Sequence, residues 1–122
     1  MTVGEVISVG RNQMDLAQPD MICQTIREMK PDLIVNFAAY IEVVQAESQA
    51  LIAIAINGIA PGMIAEEAKG MGTAMIHYST DYVFDGNKNT PYTENDQPNP
   101  QNIYGTTKLP GEEVIASVGV DH

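Results

Sequence analysis

The stretch DLIVNFAAY, residues 32–40, decides the fold. Asp32 to Phe37 is a nearly continuous apolar run with Asn36 inside it. A run of that length without polar alternation predicts a strand buried on both faces, as in a parallel sheet. Ala38-Ala39-Tyr40 then makes a tight exit of small residues. Upstream, Ile22, Ile26 and Met29 recur at helical spacing behind Pro19, a residue suited to a first helical turn, and Lys30-Pro31 stops that helix. EVISV, residues 5–9, reads as a short strand, and 13–15 as a second brief one. Downstream, 47–56 reads as a helix. Asn57 is placed to cap another, with Pro61 near its first turn and Gly70 near its end. AMIHYST, residues 74–80, repeats the buried-strand pattern. Asp85-Gly86 marks a turn, 87–100 a proline-containing loop, and 102–118 a helix with Asn102 at its cap. Strands alternating with helices imply right-handed βαβ units and a mostly parallel sheet. The expected class is α/β, a partial Rossmann-like doubly wound sheet in a single domain over residues 1–122.

Composition narrows the partners. Six basic residues against sixteen acidic ones give a formal net charge of −10. That balance repels nucleic acid and anionic membrane surfaces, so neither is expected as a partner. The first ten residues have no basic n-region followed by a long apolar run, so no signal peptide is expected there. The most apolar stretch, 50–64, is interrupted by Asn57, Gly58, Pro61 and Gly62 and reads as too broken for a membrane span. Cys23 is the sole cysteine, which fits a reducing, cytoplasmic setting.

Three groups could carry chemistry. Tyr104 and Lys108 lie four apart on the last helix, so both project from one face. An ammonium beside a phenol favours phenolate, and a tyrosine tuned that way can exchange a proton with a carbonyl or hydroxyl oxygen. Ser79-Thr80-Asp81 stands at the end of a buried strand, where a hydroxyl can bond a substrate oxygen. Ala38-Ala39 offers close approach to a ligand. His77, within a strand, reads as a packing residue. Loops after the C-terminal ends of parallel strands are where such sheets bind ligands.

The resemblance sharpens on longer stretches. HYSTDYVFDG (77–86), PYTENDQPNPQNIYGTTKLPGE (91–112), QAES (45–48) and INGIAPGMIAEEAK (56–69), together with DLIVNFAAY, resemble the dTDP-4-dehydrorhamnose reductase family of extended short-chain dehydrogenases. The resemblance implies reduction of the 4-keto group of a dTDP-sugar by NADPH or NADH. It implies that Tyr104 protonates the developing alkoxide, that Lys108 tunes Tyr104 and holds the nicotinamide ribose, and that Thr80 bonds the substrate oxygen with Asp81 beside it. Ala38, Ala39 and Tyr40 would line the dinucleotide, Asp15 and Leu16 would flank the adenine, and Arg11 would meet a 2′-phosphate. No metal ligand can be placed. The chain is similar also to the regulatory subunit of methionine adenosyltransferase, so a non-catalytic binding role is the alternative.

Several positions depart from the family. The family's opening strand and glycine-rich phosphate turn have no counterpart before Glu5, and the sugar-binding end is likewise absent from these 122 residues. In the family's strand order that opening strand lies between EVISV and DLIVNF, so these two are expected about 9–10 Å apart, too far to pair. A homo-oligomer or a partner chain supplying the strand is one expectation, and no turnover by the isolated chain is another. Ile41 and Val44 replace polar family residues. Pro110 stands inside the last helix, where it removes the bond to the Thr106 carbonyl and puts the alignment of Lys108 in question.

Overall fold

The computed structural model describes residues 4–122. Helix α1 (Pro19–Met29) opens with proline in its first turn and closes on Lys30, whose φ of 46° is left-handed and whose N–H reaches the Ile26 carbonyl. Its spacing buries Ile22 and Ile26 on one face. Strand β1 (Leu33–Asn36) follows, then a one-turn helix α2 (Val43–Ala46). Helix α3 runs without a break over Ala50–Met71. Strand β2 (Ala74–His77) lies parallel to β1, with Leu33 opposite Ala74 and Asn36 opposite His77. A 3₁₀ turn (Asp81–Val83) and a long loop lead to helix α4 (Ile103–Val118).

α3 overturns two expectations. The apolar stretch at 50–64 is not broken: it lies within an unbroken 22-residue helix, in which an 18-residue window has mean hydropathy 1.4, long and apolar enough by those measures to cross a bilayer. Asn57 caps no second helix but sits in the interior of this one, inside a π-helical stretch over Ile54–Ile59. Pro61 supplies the reason. It has no N–H to give the Asn57 carbonyl four residues back, so the ladder loosens, and Ala60 donates instead to Ala55, five back. The helix ends at Gly72, φ 68°, two residues beyond the expected Gly70.

The helices pack on one face of the sheet. Ile22, Ile26, Ile64, Ala65, Ala68, Met75, Ile115 and Val120 form the core, with Ile34 packed against it. The other face is bare: Leu33, Val35 and Ile76 are 49%, 46% and 47% exposed. The expected burial of β1 on both faces is therefore corrected, since no second helical layer is present among the described residues. EVISV is not a strand. Its Val6 and Ile7 are 84% and 60% exposed, because a strand needs a hydrogen-bonded neighbour and none lies beside it among the described residues. Residues 13–15 are not a strand either, since Gln13 and Met14 donate back to the Gly10 carbonyl in a turn. The strand expected over 74–80 stops at His77. On the outer edge of β2, Met75 donates to the Asp121 carbonyl at 2.8 Å, so the sheet begins to extend on that side.

Candidate active site

Parallel pairing brings the C-terminal ends of β1 and β2 to one edge, so the Ala38-Ala39-Tyr40 loop lies beside Tyr78-Ser79-Thr80-Asp81. Two buried amide side chains hold the first of these loops. Asn36 Oδ1 accepts the Ala38 N–H at 3.2 Å. Asn57, 1% exposed, accepts the Tyr40 N–H at 2.8 Å and donates to the Tyr40 carbonyl and to Thr107 Oγ1. The Tyr40 hydroxyl donates to Gln49 at 2.8 Å. Asn57 thus ties the first loop to α4 between Tyr104 and Lys108.

α4 presents its site residues because of how it starts and how closely it packs. The Asn102 side chain caps it by accepting the Gly105 N–H at 2.8 Å. The helix continues through Pro110, so the proline does not turn Lys108 away from the sheet. Gly105 and Gly111 permit backbone contact. A Cβ at Gly105 would run into the Tyr82 carbonyl, and one at Gly111 into the Asn57 carbonyl. The first contact seats the 3₁₀ turn against α4, where Tyr82 meets Tyr104 edge to face with ring centroids 5.6 Å apart.

Lys108 is 2% exposed, and its ammonium donates to the Tyr78 carbonyl at 2.7 Å. It also stands 3.4 Å from His77 Nε2. Burial pushes the Lys108 pKa down, against the pull of Glu112 one turn further on. Burial first, and the Lys108 charge second, push His77 down to about 4. Glu112 accepts a hydrogen bond from the Ser79 hydroxyl at 2.5 Å, and burial raises its pKa. Thr80 Oγ1 accepts the Tyr82 N–H at 3.3 Å and donates to Asp81 at 3.4 Å. Among the described residues no hydrogen bond joins Tyr104 to Lys108, although both are buried on the same helix.

The structure therefore gathers Thr80, Asp81, Tyr104, Lys108, Ala38, Ala39 and Tyr40 around one edge. Arg11, Asp15 and Leu16 form a separate group on the loop before α1. There Arg11 pairs with Asp15 at 3.4 Å with 80% of its own side chain exposed, and Leu16 packs on the core. The Ala17 N–H, more than Arg11, lowers the Asp15 pKa. Sequence reading missed Asn36, Asn57 and Glu112 as site residues and took His77 as packing. The available signal was polarity in the wrong place: an amide inside each apolar run, and a carboxylate four residues after Lys108. Among the described residues no group of three or more His, Cys, Asp or Glu side chains could hold a metal ion.

The chain is similar to known proteins over nearly its whole length. A dTDP-4-dehydrorhamnose reductase of Burkholderia thailandensis is 44% identical over 119 residues, covering 98% of this chain and 40% of that protein. A crystal structure of a dTDP-4-dehydrorhamnose reductase from Clostridium acetobutylicum superposes with a TM-score of 0.90 at 38% identity, over 93% of this chain and 41% of that one. The dTDP-4-dehydrorhamnose reductase from Bacillus anthracis in complex with NADP superposes with a TM-score of 0.88 at 32% identity, over 93% of this chain and 41% of that one. The chain thus spans about 40% of the length of the relatives it matches. Residues 2–122 match the model of the RmlD substrate binding domain, and the chain belongs to that family.

Proposed function

We propose that these 122 residues form the proton-handling part of an NAD(P)H-dependent reductase acting on the 4-keto group of dTDP-4-dehydrorhamnose. The observation that carries the reading is that the turn after Thr80 packs Tyr82 against Tyr104 while Lys108 reaches the Tyr78 carbonyl, at the strand end beside Ala38 and Ala39. The residues fit a nicotinamide cofactor at its ribose end. Ala38 is exposed and Ala39 half-buried, neither side chain long enough to block an approaching ring, and buried Lys108 faces the exit of the neighbouring strand. When bound, the cofactor supplies hydride to the keto carbon. Tyr104 gives its phenolic proton to the oxygen that becomes an alkoxide, and Lys108 stabilises the phenolate left behind. Thr80 orients the same oxygen through its hydroxyl, which is free for this once its bond to Asp81 is exchanged. Arg11, exposed on its loop, is the cation suited to a 2′-phosphate, so NADPH is favoured over NADH. A cytoplasmic, reducing setting suits the single thiol.

Turnover also needs a phosphate cradle, and no glycine-rich turn opening a helix is found among the described residues. The isolated chain is therefore expected to show no reduction. The test is a chimera in which these residues replace the matching segment of the Burkholderia thailandensis relative. It should reduce the keto-sugar with NADPH, and Tyr104→Phe should lower kcat by about 10²–10⁴-fold. A folded chimera that binds NADPH and does not reduce the sugar overturns the reading and leaves the regulatory alternative.

A further inference from the structure

Asn36, His77 and Lys108 form a line of polar contacts beneath the strand ends that the proposed reaction does not use. The Ala38 N–H can only donate, and its partner is Asn36 Oδ1 at 3.2 Å. That contact decides which end of the Asn36 amide faces the loop, and it leaves Nδ2 facing His77 Nδ1 at 3.2 Å. An amide nitrogen has donors and no acceptor, so His77 Nδ1 is the acceptor and the ring proton sits on Nε2. The Nε2–H then points at Lys108 Nζ, 3.4 Å away. An ammonium has three donors and no lone pair, so it would meet that N–H donor to donor. A neutral amine accepts it while still donating to the Tyr78 carbonyl at 2.7 Å. Cationic Lys108 suits the other tautomer, with the ring proton on Nδ1. That tautomer requires the Asn36 amide reversed and the Ala38 N–H released.

We propose that His77 is a positioning residue that couples the charge on Lys108, through the Asn36 amide, to the backbone of the Ala38 loop. The roles given to Lys108 and Ala38 rest on the reductase reading, but the line of contacts does not. Burial and the Lys108 charge keep the ring neutral down to about pH 4, so near neutrality His77 acts through its tautomer and not through its own charge. The other ionisable groups on α4 around Lys108 are Tyr104 one turn before it, Glu112 one turn after it, and Glu113, which acts on Glu112.

The test is long-range ¹H–¹⁵N spectroscopy of the imidazoles in the 122-residue chain, with His122→Gln separating the two histidines, and titration of ¹³C-labelled lysines. The wild type is expected to carry the proton on Nε2 while Lys108 is neutral and on Nδ1 once it is charged; a free imidazole favours Nε2 in any case, so Asn36→Asp is the deciding variant. Its carboxylate accepts on both sides, so the proton should move to Nδ1 and the Lys108 proton affinity should rise about tenfold or more. A dispersed spectrum for Asn36→Asp with the proton still on Nε2 and Lys108 unchanged overturns the proposal. If that variant does not fold, Lys108→Met decides: the His77 titration should move up from about 4, and an unchanged tautomer and titration overturns the coupling. Neither measurement involves cofactor or sugar, so its failure is distinct from failure of the reductase reading.

Discussion

Replacing Asn57 by leucine removes the side chain that joins the Tyr40 loop to α4. Leucine keeps the same branched arrangement of side-chain heavy atoms and is somewhat larger, so the change removes the polar contacts without creating a cavity. Three hydrogen bonds disappear: from the Tyr40 N–H, to the Tyr40 carbonyl and to Thr107 Oγ1. Thr107 keeps its bond to the Tyr104 carbonyl at 2.9 Å, so its hydroxyl is not orphaned. Among the described residues the Tyr40 N–H has no other partner, so it is left unsatisfied in a half-buried place. A buried donor stranded in this way costs about 1–3 kcal/mol, and each remaining bond contributes about 1 kcal/mol, so the expected loss is roughly 3 kcal/mol. For a chain of this size that corresponds to a drop in Tm of about 10 °C, measured by circular dichroism. Amide hydrogen exchange supplies the local readout, with Tyr40 losing protection while the core amides of α1 follow only global stability. A loss under about 1 kcal/mol with Tyr40 still protected would refute the assignment of Asn57 as the link.

Gly111→Ala should destabilise the chain by about 1–3 kcal/mol, because its Cβ would meet the Asn57 backbone carbonyl, which cannot step aside as a side chain can. Urea denaturation checks this, and an unchanged midpoint would mean that α3 and α4 do not touch there. The pH dependence tests His77. Its pKa is depressed from 6.5 to about 4 on folding, so between those values the unfolded chain binds the proton and the folded chain does not. Stability should therefore rise with pH across that window by up to roughly 3 kcal/mol, and fall as pH drops through it. Glu112, raised by burial, acts in the opposite direction, so the comparison is between wild type and His77→Phe. The variant should lack the rise, and an identical slope would place His77 in solvent.

Local patterns carried much of the fold. The spacing of Ile22, Ile26 and Met29, the stop at Lys30-Pro31 and the Asn102 cap are properties of a few neighbouring residues, and the structure keeps all of them. The parallel pairing of β1 with β2 was legible because two apolar runs flank a helical segment. EVISV failed as a strand for a reason no local pattern contains: a strand exists only with a partner, and these residues have none beside them among the described residues. The two-sided burial of β1 failed in the same way, since burial depends on which layers cover a sheet.

The sequence by itself determined the first and last helices, the direction of the sheet, and which residues could reach the strand ends, because each follows from spacing and from one or two residue types. It also carried the family resemblance, in the stretches 77–86 and 91–112. Only the tertiary structure decided what those residues touch. Asn57 turned from a helix cap into the link between the Tyr40 loop and α4 because Pro61 withholds an N–H and α4 packs glycine against the freed carbonyl. His77 turned from packing into a neighbour of Lys108 because parallel register sets Asn36 against it while α4 crosses behind. Contacts between residues 31 to 50 positions apart in the chain depend on register and packing, and neither can be read from the side chains one at a time.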